Sequence, residues 1–436
     1  MQDDGLREHP FRAELTAEVH ARPYMHLTAP ERVTHLALVT GEDGAEEERR
    51  IVGDLLASRG APPPAPGANF HLADLGAFRL RWERHTEFST YGFFAHEPAP
   101  EPFAERALAL VPPDWLPRLP GQVLAAIALV LEPDPDAETA GRKAPDLDRM
   151  RRLMGIENFA GSIVAGGAAE AWMNFTAGPD GFGRILVRDR RLGLRQAGRL
   201  VQRLLEIETY RMMALLALPP ARAEGKELTR LGARLTDIAG SIVGAEDEHA
   251  LLERLAVVAA ETERIAAATT YRFGAARAYR DLVERRIHEL REQRMEGIQT
   301  IGEFMERRFK PAMSTVQAAD DRQEALSRRV ARTSQLLRTR IEVRLAEQNR
   351  DLLHSMDRRA SLQLALQETV EGLSVAAITY YAVGLISYLV KAIHGLGVDV
   401  PVDETPGFAI PIVAAIVWLG LRRVRRMLAK RSGHGE

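Results

Sequence analysis

The sequence contains no cysteine among its 436 residues, and this absence removes several classes of site at once. Disulfide frameworks, thiolate zinc sites, iron–sulfur clusters and cysteine nucleophiles all require a thiol. An excess of positive charge is also missing, because 58 Lys and Arg are balanced by 60 Asp and Glu, for a net charge of −2. This balance argues against a general nucleic-acid-binding protein, which carries a basic surface.

The sequence also lacks the motifs by which many catalytic sites are recognised. It contains no G-x-x-x-x-G-K-[ST] phosphate loop, no H-E-x-x-H zinc helix, no G-x-S-x-G nucleophile elbow and no G-x-G-x-x-G before a helix. The glycine-rich segments Gly161–Gly167 and Gly178–Gly183 are followed by no phosphate-loop lysine, so we interpret them as turns rather than anion cradles. We therefore expect a protein that is not an enzyme and needs no cofactor.

Two long uncharged runs near the C-terminus predict a membrane anchor. The run Gly372–Val390 contains 19 residues without a charge, and at roughly 1.5 Å per residue a helix of this length matches the hydrocarbon core of a bilayer. The run Pro406–Leu421 is shorter, and beside the first it predicts a transmembrane hairpin. Residues 1–10 have no apolar stretch of the kind found in a secretory signal, so we expect the N-terminal part to stay in the cytoplasm.

The charges that flank these runs predict their orientation. The linker between them carries only acidic residues, Asp399, Asp403 and Glu404, which form a candidate outer mouth able to concentrate cations. Six basic residues follow the second run: Arg422, Arg423, Arg425, Arg426, Lys430 and Arg431. By the positive-inside rule, the linker lies outside, and both the C-terminus and the N-terminal domain lie in the cytoplasm of a bacterial inner membrane.

Residues 1–190 show the pattern of an α+β cytoplasmic domain. Strands are predicted at Val33–Thr40, Phe78–Glu83 and Val123–Leu131, with a helix at Ala45–Ser58. Shorter strands are predicted at residues 163–165, 170–175 and 182–187, the last two joined by a turn at 176–181. We expect these elements to form a small sandwich.

Residues 191–318 form a predicted helical region, with helices at 192–218, 227–243 and 246–310, the last ending before Pro311. Residues 312–371 contain neither Gly nor Pro, so nothing obliges a helix to stop there. We therefore predict a very long stalk helix over 319–371 that runs directly into the first span of the transmembrane hairpin at 372–436.

An apolar stripe along the stalk predicts that this helix is covered by another. Its members are spaced mostly four residues apart, nearer to a period of 3.6–3.7 than to a strict heptad, and are Leu326, Val330, Leu337, Ile341, Leu345, Leu352 and Met356. The partner is either an earlier helix of the same chain or the stalk of another copy in a coiled-coil-like contact. A stalk that leads into a membrane favours the second alternative, a symmetric homo-oligomer.

Two groups of polar residues are candidate functional sites. Glu18, His20 and Arg22 alternate, so an extended segment places them on one face, where they bind an anion or a nucleotide or else bond to a neighbouring element. The histidines at 9, 20, 26 and 35, with Glu14 and Glu18, match no metal-ligand spacing, so the metal question stays open.

The second group lies on one face of the first span, and its members are Tyr381, Gly384, Ser387, Tyr388 and Lys391. Polar groups inside a membrane face protein or water rather than lipid. This face therefore lines a pore or packs closely against another helix, with Lys391 reaching the outer interface. A ring of lysines would also repel cations.

Several segments resemble a known bacterial family of predicted membrane-anchored proteins, domain of unknown function 3422. They are Arg7–Pro10 (REHP), Glu18–Pro23 (EVHARP), Glu284–Arg294 (ERRIHELREQR), Glu303–Pro311 (EFMERRFKP) and Val370–Gly384 (VEGLSVAAITYYAVG). The resemblance extends over essentially the whole chain. It implies a cytoplasmic body with a C-terminal anchor, and it carries no activity or site residue.

The layout alone is similar to that of CorA-type cation transporters, in which a long helix runs into the first of two C-terminal spans. Those transporters have a Gly-Met-Asn signature at the outer end of that span, where this chain reads Lys391–Gly397 (KAIHGLG). We expect a non-enzymatic, membrane-anchored protein with a ligand- or partner-binding domain and no nucleic-acid partner; the alternative is an oligomeric CorA-like channel without the filter motif.

Overall fold

A computed structural model describes residues 8–12, 15–16, 23–41, 43–98, 101–135, 146–242, 244, 247–395 and 405–432. The chain divides into two units, Met1–Ser334 and Gln335–Glu436. The first unit contains a mixed nine-stranded sheet with helices on both of its faces. The second contains the continuation of a very long helix and a C-terminal helix. A sheet domain followed by a long helix confirms the coarse fold prediction.

The strands of the sheet have the following bounds: β1 Glu31–Val39, β2 Phe70–Asp74, β3 Arg79–Arg84, β4 Phe88–Ala95, β5 Gln122–Pro133, β6 Ala160–Val164, β7 Ala169–Met173, β8 Gly183–Asp189 and β9 Gln293–Arg294. Their order across the sheet is β2-β3-β4-β1-β5-β8-β7-β6-β9. Every described pairing is antiparallel except β5–β8, which is parallel.

The helices are α1 Ala45–Ser58, α2 Leu147–Met154, α3 Leu194–Leu215, α4 Leu218–Ser241, α5 Glu248–Leu290, α6 Ile301–Gly395 and α7 Thr405–Ser432. Both halves of the sheet follow one chain order: a first strand, a helix, and three strands of which the last returns beside the first. The halves differ in polarity, because β4 is antiparallel to β1 whereas β8 is parallel to β5. The first strands, β1 and β5, pair at the centre.

Side-chain alternation along β1 separates two cores. Leu36 and Leu38 pack with α1 on one face, in a cluster that includes Leu55. Val33 and Ala37 point to the opposite face, which α3 and α5 cover. We call these the α1 face and the α3 face. The first turns of α6 join the core on the α3 face through Ile301, Met305, Phe309, Met313 and Val316.

The sheet is more extensive than the predicted sandwich, since β2, β4, β9 and α2 were not predicted. The predicted helix 192–218 corresponds to α3, and 227–243 lies within the range of α4 apart from its last residues. The predicted continuous helix 246–310 is wrong. α5 ends at Leu290, and Arg291 adopts a left-handed conformation with φ 50°.

The helix α6 begins at a capping box in which Thr300 Oγ1 accepts from the Glu303 backbone N–H at 3.1 Å and Glu303 Oε2 accepts from the Thr300 N–H at 3.0 Å. Pro311 consequently lies inside the helix instead of ending it. It does so on an exposed face, where water can bond to the carbonyl of Arg307 that loses its N–H partner.

The helix α6 extends from the first unit into the second, and it contains the predicted stalk 319–371 and its continuation to Val390 without a break. Its apolar side chains are largely exposed, including Leu345, Leu352 and Met356. Among the described residues, one helix, Ile301–His394, is long and apolar enough to cross a membrane, with a mean hydropathy of 1.8 in its most apolar window. It contains the predicted first span.

Candidate functional site

The structure separates the predicted site residues into two sets. Glu18, His20 and Arg22 lie outside the described residues, and so do the acidic linker residues Asp399, Asp403 and Glu404. In the second unit, one groove is lined by four members of the predicted polar face, Tyr381, Gly384, Ser387 and Tyr388, together with Ile410 and Ala414 of α7. Lys391 is exposed and is not part of this lining.

No metal centre is present among the residues that the structure describes, where no group of three His, Asp or Glu side chains is placed to hold an ion. Of the four histidines considered, His35 is buried in β1. Its Nε2 lies 3.1 Å from Oγ1 of Thr209 in α3. His35 therefore belongs to the interior of the α3 face rather than to a metal site.

The strand β3 presents charge to both faces of the sheet. Leu80, Trp82 and Arg84 point to the α1 face, and Arg79, Arg81 and Glu83 point to the α3 face. The strand therefore contributes an arginine to each interior.

On the α1 face, a buried carboxylate has a full set of hydrogen-bond partners. Glu48 of α1 is fully buried, and its two carboxylate oxygens accept four hydrogen bonds. The donors are Trp82 Nε1 at 2.8 Å, Arg84 Nη1 at 2.6 Å, Ser89 Oγ at 2.9 Å and Tyr91 Oη at 2.5 Å. Burial of Tyr91 beside this carboxylate raises the pKa of its hydroxyl. We call this group the Glu48 cluster, and its complete bonding identifies it as structural.

On the α3 face, a pocket lies between the sheet and α3. Its polar lining is His35, Arg81, Glu83, His85, Thr90, Gln202, Glu206, Thr209 and Tyr210, and its apolar lining is Met25, Leu27, Phe88, Phe94, Val201 and Leu205. Its cavity volume, measured as the space that the centre of a water molecule can reach, is about 40 Å³. One water needs roughly 10–15 Å³ on this measure, so the space suits about three or four non-hydrogen atoms.

Arg81 is the distinctive residue of this pocket, which we call the Arg81 pocket. Its Nε and Nη2 atoms are buried and have no hydrogen-bond partner. The Nη2 atom lies 2.8 Å from Oε2 of Glu83 in an ion pair, but without hydrogen-bond geometry. Buried polar atoms are almost always bonded to protein, water or a ligand. The Nε–Nη2 edge of the guanidinium is therefore placed to receive an acceptor from the pocket.

The carboxylates that line the pocket already have cationic partners. Glu206 is paired with Nε of Arg286 and accepts a hydrogen bond from Gln202 at 2.6 Å. Glu83 is paired with Arg81, and its Oε1 lies 3.6 Å from Nε2 of His85. These pairs leave the arginine edge, rather than a carboxylate, as the group without a hydrogen-bond partner.

Burial keeps the imidazole of His35 and the hydroxyl of Tyr210 uncharged at pH 7. Burial, followed by the charges of Arg81 and His85, lowers the pKa of His35 to about 3. His35 is therefore neutral at pH 7, and its imidazole offers a donor and an acceptor instead of a charge. Burial also raises the pKa of Tyr210, so that hydroxyl stays protonated. The interior of the pocket disfavours an additional cation.

The segment 23–28 closes one side of the pocket because it packs tightly on α3. A Cβ atom at Gly198 would lie 1.6 Å from the carbonyl oxygen of Met25, so only glycine permits this approach. Arg199 donates to Oη of Tyr24 at 3.1 Å and lies over its ring. Met25 and Leu27 then line the pocket.

A comparison with protein families gives one match. The family model described as "Protein of unknown function (DUF3422)" matches residues 7–428. The chain belongs to this family. The resemblance predicted from the sequence is thereby confirmed. No curated protein and no solved structure matches the chain.

In this DUF3422 chain, three pocket residues were not predicted as site residues, namely Arg81, Glu83 and His85, and His35 was considered only as a candidate metal ligand. A signal was present in the predicted strand 78–83 (FRLRWE), where charged and apolar residues alternate. That alternation places Arg81 and Glu83 on one face. It does not show that α3 covers this face and makes it an interior, because α3 begins more than 100 residues later.

Proposed function

We propose that this protein is a non-enzymatic, membrane-anchored protein whose N-terminal domain binds a small ligand in the Arg81 pocket. The observation that carries the proposal is the buried edge of Arg81, which has no hydrogen-bond partner and lines the pocket between the sheet and α3. The proposal needs no cofactor and no nucleic-acid partner.

The test of ligand binding is the thermal unfolding of the full-length protein in nanodiscs with a panel of small anions, cations and neutral molecules. A ligand that binds the folded state raises the unfolding midpoint as its concentration increases. We expect at least one small molecule to do so, and Arg81→Gln to abolish the shift. A purified protein that turned over a substrate, with loss of turnover on mutation of a defined site, would contradict the non-enzymatic part of the proposal.

The membrane part of the proposal rests on the apolar window of α6 and on the basic residues that follow Leu421. We propose that Gly372–Val390 and Pro406–Leu421 form a hairpin in a bacterial inner membrane, with the N-terminal domain and the C-terminus in the cytoplasm. Reporter fusions after Ser432 and after Asp399 test this arrangement. Cytoplasmic activity of the first fusion and external activity of the second are expected, and two fusions on one side would contradict the hairpin.

We further propose that the exposed apolar side of α6 is covered by the same helix of a second copy. Leu345, Leu352 and Met356 are each more than half exposed and lie on one side of the helix. Copies anchored in one membrane enter it from the same side. Their α6 helices are therefore parallel, and the apolar residues of one copy lie at the same distance from the membrane as those of the next. Native mass spectrometry in nanodiscs is expected to show an oligomer that Leu352→Glu disrupts. A monomer at all concentrations would contradict this contact.

An oligomeric ion channel is a second candidate, favoured by one observation. Tyr381 and Tyr388 line a groove in the second unit and yet remain 70% and 75% exposed, so neither ring is packed within one chain. In a ring of copies, these tyrosines would face a common axis. Ion flux into proteoliposomes that changes in a Tyr388→Ala variant would support a channel, whereas tyrosines that face lipid in an oligomer would exclude it.

A further inference from the structure

We infer that the Arg81 pocket selects a short-chain monocarboxylate, whose carboxylate lies on the Nε–Nη2 edge of Arg81 and whose hydrocarbon tail packs against the apolar wall. This inference rests on the proposed ligand-binding function and names its ligand class. Four observations carry it: the arginine edge that makes no hydrogen bond, the single arginine of the lining, the apolar wall and the volume of the pocket.

The two atoms of Arg81 that make no hydrogen bond form one side of the guanidinium fork. Nε–H and a neighbouring Nη–H point in parallel and match the spacing of two carboxylate oxygens in a bidentate pair. A single water could bond to only part of this edge. The simultaneous lack of hydrogen bonds at both nitrogens therefore favours a planar two-oxygen acceptor.

The charge of the lining limits the ligand to one negative charge. Arg81 is the one arginine of the lining, which contains no lysine, and the carboxylate of Glu83 already lies against it. Each negative charge of a ligand therefore adds to a pair that is already neutral, and a phosphate or dicarboxylate would bring more than one such charge. A monocarboxylate can be accommodated if Glu83 shifts its ion pair toward His85, which lies 3.6 Å from its other oxygen.

The remaining wall favours a hydrocarbon tail. Phe88, Phe94, Val201 and Leu205 line the side of the pocket between the sheet and α3. Burying one methylene against such a surface stabilises a complex by roughly 0.8 kcal/mol. The space for about three or four non-hydrogen atoms admits acetate and, with small side-chain adjustments, propionate or butyrate, and it excludes sugars and nucleotides.

The experiment is isothermal titration calorimetry of the full-length protein in nanodiscs at pH 7, with chloride as the constant background anion. Acetate, propionate and butyrate are the probes, propionamide is the uncharged match of propionate, and inorganic phosphate is the competing anion. We expect propionate to bind at least tenfold more tightly than propionamide and phosphate. This comparison needs no variant, so it does not depend on how a mutant folds.

Three variants identify the residues responsible. Arg81→Lys keeps the charge and removes the fork, so propionate affinity is expected to fall at least tenfold. Arg188→Lys is the matched control, because the Arg188 side chain is buried to the same degree as that of Arg81 but pairs with Glu132 and lies outside the pocket lining, so propionate affinity is expected to match that of the wild type. Glu83→Gln removes the nearest negative charge and is expected to tighten binding, which a merely structural Glu83 would not do.

The outcomes separate this inference from the proposed function. Binding of phosphate or propionamide at least as tightly as propionate, with dependence on Arg81, would overturn the carboxylate assignment and leave ligand binding in place. Absence of binding by every probe would overturn the carboxylate inference, and a flat response in the wider thermal panel would then overturn ligand binding as well. Equal loss of propionate affinity in the Arg188→Lys and Arg81→Lys variants would also overturn the carboxylate inference.

Discussion

Each face of the sheet carries an arginine of β3 beside a buried glutamate, and the two pairs differ in how completely they are hydrogen-bonded. On the α1 face, Arg84 and Glu48 of α1 belong to a cluster in which the carboxylate accepts four hydrogen bonds. On the α3 face, Arg81 lies in an ion pair with Glu83, but two of its buried nitrogens lack a hydrogen-bond partner beside a pocket. Complete bonding stabilises the fold, whereas incomplete bonding is tolerated where a ligand completes it.

The largest expected effect is on the fully bonded face. Replacement of Glu48 by Ala removes the acceptor of four buried donors and leaves Arg84 without its counter-charge. Breaking one side of a buried ion pair lowers the free energy of unfolding by roughly 3–5 kcal/mol. Urea denaturation of the full-length protein measures this change. Glu46→Ala on the same helix is the control, since the Glu46 side chain is 85% exposed, and equal effects of the two variants would refute the structural role of Glu48.

A somewhat smaller loss is expected where the segment 23–28 closes the Arg81 pocket. Gly198→Ala forces a methyl group toward the Met25 carbonyl oxygen at 1.6 Å, so backbone must move. Overpacking of this kind costs about 3 kcal/mol, and the displaced segment is expected to lose ligand binding too. Gly225→Ala is the control, because its nearest neighbour outside the local backbone lies at 3.9 Å and alanine favours a helix. It is expected to raise the unfolding midpoint.

The third effect depends on pH and is specific to the α3 face. The pKa of His35 is about 3 in the folded protein and about 6.5 in an unfolded chain. Because the folded value is the lower one, His35 contributes stability above pH 6.5 that is lost as the pH falls toward 3. From pH 7 to pH 5 the loss is about 2 kcal/mol.

The measurement is the difference between wild type and His35→Gln in urea denaturation at several pH values. The variant lacks the titrating imidazole, so its free energy of unfolding is expected to fall less steeply between pH 7 and pH 5. Parallel pH profiles would show that His35 is accessible to protons in the folded state. A bound carboxylate would make the wild-type profile shallower, because a negative charge beside His35 favours its protonation.

The smallest effect is expected at the ion pair that lines the Arg81 pocket. The double variant Arg81→Met/Glu83→Met removes both the buried nitrogens that lack hydrogen bonds and the carboxylate paired with them. Replacing both partners of a buried ion pair by apolar residues of similar size is nearly neutral, so the free energy of unfolding is expected to change by less than about 1 kcal/mol. The double variant Arg84→Met/Glu48→Met provides the contrast, with a loss of several kcal/mol, because it leaves the other buried donors of the Glu48 cluster without their acceptor. Similar losses in the two variants would remove the distinction between the faces.

The sequence predicted elements with strong local signals and missed those without. Helix α1 has the predicted bounds Ala45–Ser58, and β1 lies within one or two residues of its predicted bounds. Strand β4, with the sequence FSTYGFFA, is buried along its whole length, so it lacks the alternation that identifies a half-exposed strand. The break after Leu290 was missed because the left-handed residue there is Arg291 rather than glycine.

The Arg81 pocket could not be predicted from local sequence patterns, for a different reason. Alternation along β3 places Arg81 on a face, but the burial of that face depends on α3, and the lack of a partner depends on exact side-chain geometry. Both are properties of tertiary packing. The predicted anion site at Glu18, His20 and Arg22 lies outside the described residues and stays a prediction.

The edge strand β9 has a consequence for the synthesis of the protein. Ile163 of β6 pairs with Gln293 of β9, 130 positions later in the chain. At roughly 5–20 residues per second, a ribosome adds the second partner between about 6 and 26 s after the first. During this interval, the outer N–H and C=O groups of β6 lack the strand that covers them, and such an edge can pair with other chains. The two residues of β9 therefore protect the nascent domain from aggregation only after α3, α4 and α5 have been made.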